Sequence, residues 1–260
     1  MNVKSYYFIS GLPRSGSTLL SAILKQNPEF YADIASPFEA LTETAINVIS
    51  CSENNFSITH EQRKNLLYGM FNGFYQHVDK QVIFDSSRGW TKKTTILQEL
   101  FPYTKILCPV RDIVSILNSF ETILNKNLFH TKQINQKVLS QNIFKRTEEI
   151  FERNVINCYS YLQEGYTLNS QMIYFIEYEN LCKQPEKIMR EVYEFLEKPY
   201  YSHDFDNVEY SNENFDRACN IKDLHTVKKR VEYNPPKIVL PPNIVEKYRG
   251  AKLEFWQKNI

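Results

Sequence analysis

Between Gly11 and Thr18 the chain reads GLPRSGST, a short run that gathers the groups needed to hold an anion. Gly11 and Gly16 let the backbone turn tightly and approach a ligand closely. Arg14 adds a permanent charge on a planar fork that suits phosphate or sulfate oxygens. Ser15, Ser17 and Thr18 add hydroxyls, and the last two open a helix whose first amides and dipole favour negative charge. Tyr6 to Ser10 is an aromatic and β-branched run that predicts a buried strand. Leu19, Leu20, Ile23 and Leu24 recur at helical spacing and predict a helix ending near Asn27-Pro28. The plain competitor to an anion site is an ordinary strand-to-helix turn with a serine cap.

The loop departs from the kinase pattern G-x-x-x-x-G-K-[ST], because Ser17 stands where the lysine belongs. P-loop kinases use that lysine on the β- and γ-phosphates and the next hydroxyl on Mg²⁺. A transfer whose moving group carries less charge than a phosphoryl group can dispense with both. Far downstream, CPVRDIVSILNSF supplies a second candidate anchor. Arg111 follows a predicted strand, Asp112 is a plausible helix cap, and Ser115 and Ser119 share one helix face at i,i+4. Taken alone, this is an Arg-Asp pair at a helix start with two solvated serines. If the face turns toward the strand ends, Arg111 and Ser119 hold a second phosphate.

GLPRSGST followed by RDIVSILNS resembles the sulfotransferases that use 3′-phosphoadenosine 5′-phosphosulfate. A third match, IEYENLCKQPEKIMREVYEFLE over residues 176–197, looks like the family's YEDL…P…FLG segment, with Asn180 for Asp and Glu197 for Gly. The resemblance covers residues 5 to about 197, and PRSG is closer to the tyrosylprotein and bacterial branches than to the small-molecule cytosolic one. It implies a three-layer α/β/α fold with a central parallel sheet, like that of P-loop nucleoside triphosphate hydrolases. It implies that Arg14, Ser15, Gly16, Ser17 and Thr18 hold the 5′-phosphate, that Arg111 and Ser119 hold the 3′-phosphate, and that Tyr178 packs near the adenine. LHTVKKRVEY offers Lys228, Lys229 and Arg230 for a basic segment closing over the 3′-phosphate, and which of them turns inward is left open.

The implied reaction is a metal-independent, in-line displacement at sulfur by an acceptor hydroxyl or amine, leaving adenosine 3′,5′-bisphosphate. Arg14 would neutralise charge on the bridging oxygen, and Arg88 would replace the family's sulfate-side lysine. Related enzymes take the acceptor proton with a His after the strand preceding the Arg…Ser anchor, or with a Glu after the first helix. The first place here reads FDSSRGW, offering Asp85, and the second reads ADIASPFEALTE, offering Asp33, Glu39 and Glu43. Glu39 is the first choice. The tyrosylprotein branch carries its Glu about where Ile34-Ala35 lie, which counts against tyrosine sulfation. His60, His77 and His130 are expected at the surface. Two competing readings stand beside this one. The first is a kinase using ATP and Mg, with VIFD at 82–85 as a Walker B strand. The second is a nucleotide-binding protein without catalysis.

These residues need strands and helices to position them. Gln81–Asp85, Lys105–Val110 and Gln171–Ile176 read as the second, third and fourth strands. Helices are expected over Phe38–Ile49, Gln62–Val78, Thr94–Leu100, from Asp112 to about Asn125, over Ile143–Leu162, from Pro185, and over Ile244–Trp256. Strands alternating with helices predict a parallel α/β sheet. The loops after Ser10, Asp85 and Val110 should then gather beyond the carboxyl ends of the strands. Residues 126–141 are polar and suit a lid, residues 220–240 suit a cofactor cover, and 1–260 is expected to be one sulfotransferase domain. Residues 37–80 and 126–165 are expected to shape the acceptor pocket.

The balance of 31 basic against 30 acidic residues gives a net charge of +1 over 260 residues, which argues against a nucleic-acid or anionic-membrane surface. No apolar run approaches the ~20 residues that span a bilayer, and the N-terminus lacks a signal-peptide pattern. The five cysteines are dispersed and no Cys/His cluster is present. These features predict a reduced, cytoplasmic setting without a metal site. Acceptor identity and oligomeric state are not readable.

Overall fold

The computed structural model describes residues 4–127, 141–210, 216, 225, 227–249 and 253–258. At its centre is a five-stranded sheet in the order β2-β3-β1-β4-β5, made of Ser5–Ile9 (β1), Phe30–Ala32 (β2), Val82–Ser86 (β3), Ile106–Val110 (β4) and Ile173–Glu177 (β5). Every pairing is parallel, with Phe8 opposite both Asp85 and Ile106, and Val110 opposite Glu177. The loops after β1, β3, β4 and β5 therefore leave from the same end of the sheet.

Parallel strands must be covered on both faces, and the alternation in β1 shows how. Tyr6 and Phe8 enter one apolar cluster with Phe71, Trp90, Ile116 and Leu162. Tyr7 and Ile9 enter the other with Leu20, Ile23, Leu24, Met189 and Val192. The first face is covered by His60–Phe74 (α4), Thr94–Leu100 (α5), Ile113–Lys126 (α6) and the long helix after residue 142, and the second by Ser17–Leu24 (α1) and Pro185–Phe195 (α10). Phe38–Ile49 (α2) and the one-turn Ser52–Asn55 (α3) connect β2 to α4.

Most expected elements are present, with several differences. The edge strand β2 was not expected, because three residues after Pro28 are too few to show an alternation; the strand expected as fourth is therefore the fifth. The helix expected over Ile143–Leu162 runs to Asn169, as Ile143–Ile150 (α7), a π-helical turn at Phe151–Val155, and Ile156–Asn169 (α8). The last expected helix, Ile244–Trp256, is instead Pro242–Arg249 (α11) and a separate 3₁₀ turn at Phe255–Lys258, with Leu253 and Glu254 outside any helix. Tyr178–Lys183 (α9) lies between β5 and α10. The expected lid at 126–141 lies outside the described residues except at its two ends. Among the described residues, no helix is long and apolar enough to cross a membrane.

Candidate active site

The loop after β1 is pressed against β4. The Leu12 amide donates to the Pro109 carbonyl at 2.9 Å, and a Cβ on Gly11 would run into that same carbonyl. Only glycine lets the two strand ends approach this closely. The Ser15 hydroxyl also donates to Pro109 O, at 2.7 Å, and to Leu12 O, and Ser15 is buried. The Ser15 hydroxyl thus holds the loop together from within, and Ser15 is not among the residues that line the cavity beside Arg14, Gly16, Ser17 and Thr18.

Two consecutive turns of the loop use left-handed backbone. Arg14 has φ 57° and Gly16 has φ 92°. A non-glycine residue in this region carries strain of order 1 kcal/mol or more, which is characteristic of a functional position. Gly16 is also the N-cap of α1, and a Cβ there would lie 2.5 Å from the Tyr178 ring. Tyr178, the first residue of α9, thus packs flat against the glycine of the loop.

The second anchor arrives from β4. Asp112 caps α6 by accepting from the Ser115 amide at 2.9 Å, and this orients the first turns of the helix. Ser119 then faces the loop after β1, and Arg14 Nε donates to Ser119 Oγ at 3.2 Å. Arg111 is held on two sides, with its Nε donating to Glu179 Oε1 at 2.8 Å and its guanidinium 4.2 Å from the centre of the Tyr178 ring. Glu179 is a member of the site that sequence reasoning missed, although it lies next to Tyr178 in the IEYEN segment.

Arg14, Gly16, Ser17, Thr18, Arg111, Ser119 and Tyr178 line one cavity of about 740 Å³, together with Arg88, Lys228, Arg230, His225 and an apolar wall of Phe120, Ile123, Leu124 and Ile150. Burial together with the charges of Arg88 and Arg111 pulls the Arg14 pKa down to about 10, which still leaves it charged at neutral pH. The site is strongly cationic although the protein is almost neutral. Residues 227–231 are fastened alongside 205–210 by backbone bonds from Val208 to Lys229, Val227 to Tyr210 and Val231 to Phe205. Asn118 of α6 ties the same segment down, donating to Lys237 O at 3.0 Å and accepting from Val239 N at 2.7 Å. Of the three basic residues offered for this segment, Lys228 and Arg230 line the cavity and Lys229 does not. Arg230 also pairs with Asp206 at 2.9 Å.

The acids expected as candidates for the base have partners of their own. The Glu39 carboxylate is held by the buried Lys93 ammonium and by the Ser87 hydroxyl at 3.3 Å, and Glu39 does not line the cavity. Glu43 shares the same lysine and pairs with Lys92 at 2.7 Å. Asp33 takes the Ile34 amide at 2.8 Å and the Tyr210 hydroxyl. Asp85 is fully buried and accepts from Trp90 Nε1 at 2.6 Å and from the Tyr75 hydroxyl. Burial pushes the Asp85 pKa up, with Ser36, Tyr75 and Trp90 opposing the shift. Arg88 therefore does not pair with Asp85. It lines the cavity, and its charge opposes the burial that pushes the Cys158 thiol pKa up.

Sheet order and the glycine loop define a P-loop-like α/β protein whose cavity is lined by arginines from two separate loops. The sequence model described as "Sulfotransferase family" matches residues 7–202, and the chain belongs to that family. It is 26% identical over 209 residues to Protein-tyrosine sulfotransferase A of Caenorhabditis elegans, a match that covers 75% of this chain and 50% of that one. The chain thus spans about half the length of this curated relative. In fold it is similar to sulfotransferase STF9 from Mycobacterium avium, with TM-score 0.56, 13% identity and coverage of 99% and 77% of the two chains. It is likewise similar to mouse sulfotransferase SULT7A1 complexed with PAP, with TM-score 0.52, 14% identity and coverage of 98% and 84%. The family match does not favour the kinase reading.

Proposed function

We propose that this sulfotransferase takes its sulfuryl group from 3′-phosphoadenosine 5′-phosphosulfate and passes it to a hydroxyl or amine by in-line displacement, with the catalytic unit formed by residues 1–260. The observation that carries the reading is the contact between Arg14 and Ser119, which joins the two anion anchors in one cavity. The residues fit a donor with phosphate at two ends. Gly16, Ser17 and Thr18 offer helix N-terminal amides and hydroxyls to the 5′-phosphate, with Arg14 beside them. Arg111 and Ser119 face the 3′-phosphate, Lys228 and Arg230 cover it, and Tyr178 borders the adenine. When bound, the donor supplies an activated sulfuryl group and leaves as adenosine 3′,5′-bisphosphate, the ligand named for the mouse relative.

Arg14 and Arg88 then do the electrostatic part of the chemistry. They place fixed positive charge where negative charge grows on the bridging oxygen and the moving group, and such preorganised charge is commonly the largest catalytic contribution. The acceptor enters along Phe120, Ile123, Leu124 and Ile150. A kinase would need an acid for Mg²⁺ at the end of β3, and the Asp85 carboxylate is bound to Tyr75 and Trp90. The test is thermal melting with three ligands. Adenosine 3′,5′-bisphosphate should raise the melting temperature without added metal, adenosine 5′-monophosphate should do so much less, and Arg111→Ala should abolish the difference. Equal stabilisation by the two nucleotides, or stabilisation by ATP with Mg²⁺ alone, would sink the reading.

A further inference from the structure

With Glu39, Glu43, Asp33 and Asp85 committed elsewhere, the cavity needs another group to take the acceptor proton. The titratable groups that line it include Glu149, Glu232 and His225. Glu149 is held at both oxygens, by Arg153 at 3.0 Å and by Gln141 at 2.9 Å. Glu232 lies toward Lys228 and accepts from Asn234 at 2.7 Å, at the end of the cavity that faces the 3′-phosphate. His225 is different. Its Nδ1 lies 2.7 Å from Asp216 Oδ1, and its backbone amide donates to Asp216 Oδ2 at 3.1 Å. One buried carboxylate therefore fixes both the ring and the main chain of the histidine.

We propose that His225 is the general base of sulfuryl transfer and that Asp216 positions it. With the Nδ1 proton given to Asp216, Nε2 is the nitrogen that takes a proton, the arrangement by which a carboxylate sets a histidine's tautomer in other acid–base sites. The acceptor oxygen forms the new bond to sulfur, its proton passes to Nε2, and the bond from sulfur to the bridging oxygen breaks. That electron pair leaves with adenosine 3′,5′-bisphosphate beside Arg14. The imidazolium, paired with Asp216, returns its proton to water after the products leave. Burial, Arg14 and Arg88 all favour the neutral ring, and Asp216 opposes them, so the empty site holds the form a base requires.

This inference rests on the sulfuryl-transfer reading, and its test separates the two. The probe is donor labelled in the sulfuryl group, with release followed to water and to simple phenols and alcohols. Bisphosphate binding is measured in parallel. His225→Gln should lower donor turnover about 10²–10⁴-fold while keeping the bisphosphate melting shift. Added imidazole should partly restore turnover in His225→Ala. Asp216→Asn should lower the plateau and move the acidic limb of the activity profile to lower pH, because Asp216 holds the histidine's pKa up. A purely structural pair would not move that limb. Turnover within threefold of the parent in His225→Gln would overturn the base, as would bisphosphate binding lost in step with turnover. A parent protein that binds the bisphosphate but never cleaves donor would overturn the reading beneath it.

Discussion

Arg14 Nε and Ser119 Oγ, separated by 105 positions in the chain, meet at 3.2 Å, so the loop after β1 and the helix after β4 form one binding surface. Ser119→Ala should weaken adenosine 3′,5′-bisphosphate about 2–10-fold, the range expected for one neutral hydrogen bond lost. Adenosine 5′-monophosphate should lose less. Isothermal titration of both nucleotides checks the comparison, and an equal loss for both would mean that Ser119 acts only by holding Arg14.

Gly16→Ala should damage the site in two separable ways. The left-handed backbone costs an L-residue about 1–2 kcal/mol, and the new methyl group meets the Tyr178 ring. Tyr178→Ala relieves only the second problem. The double variant should therefore recover part of the melting temperature lost in Gly16→Ala, with a non-additive remainder. Full recovery would show that backbone conformation contributes nothing.

Glu39→Gln distinguishes an ion-pair partner from a base. The carboxylate sits on a lysine whose side chain is 3% exposed, so the variant should lose about 1–3 kcal/mol of stability in denaturant unfolding. Donor turnover by the folded fraction should stay within about tenfold of the parent, well short of the 10²–10⁴-fold typical for a missing base. A larger loss would return Glu39 to the chemistry.

The fold was readable wherever a pattern had room to repeat. β1, α1, α2, α5, β4 and α6 are all long enough to show their period. β2 has three residues and shows none, and the π-helical turn at Phe151–Val155 leaves an apolar spacing that reads as ordinary helix. The binding loops were legible because Gly11, Arg14 and Gly16 carry local constraints that any strand-to-helix turn of this kind must meet. The Lys93 partner of Glu39 was not legible, because a carboxylate at that distance from the loop looks the same in sequence whether it faces a ligand or a buried lysine. His225 was passed over because its partner Asp216 lies nine positions away in a stretch whose sequence shows no periodicity to predict their meeting.

His203 gives the protein a pH dependence unrelated to catalysis. Burial among Tyr193, Tyr200, Tyr201 and Phe205 pulls its pKa down to about 4, against only weak opposition from the Ile23 backbone. The unfolded chain, with an ordinary histidine near 6.5, binds more protons between these values, so stability rises with pH across that window. The contribution is complete above about pH 6.5 and is lost as pH falls toward 4, with a ceiling of ~3 kcal/mol. Denaturant unfolding of the parent and His203→Phe at pH 7 and pH 4.5 checks this. The acid loss should be smaller in the variant.

The crowding of Arg14, Arg88 and Arg111 around one cavity has a consequence for how the protein lives with its nucleotide. Guanidinium groups lining one cavity repel one another when no anion lies between them. An anion that bridges them relieves that repulsion, so ligand occupancy and folding are linked by mass action. At a hundredfold excess over its dissociation constant, a ligand adds ~2.7 kcal/mol to the folded state. Under the proposed reaction, the same relief holds back the bisphosphate product, and slow product release is the expected outcome. Survival of the chain and speed of its cycle are thereby pulled in opposite directions by the same three side chains.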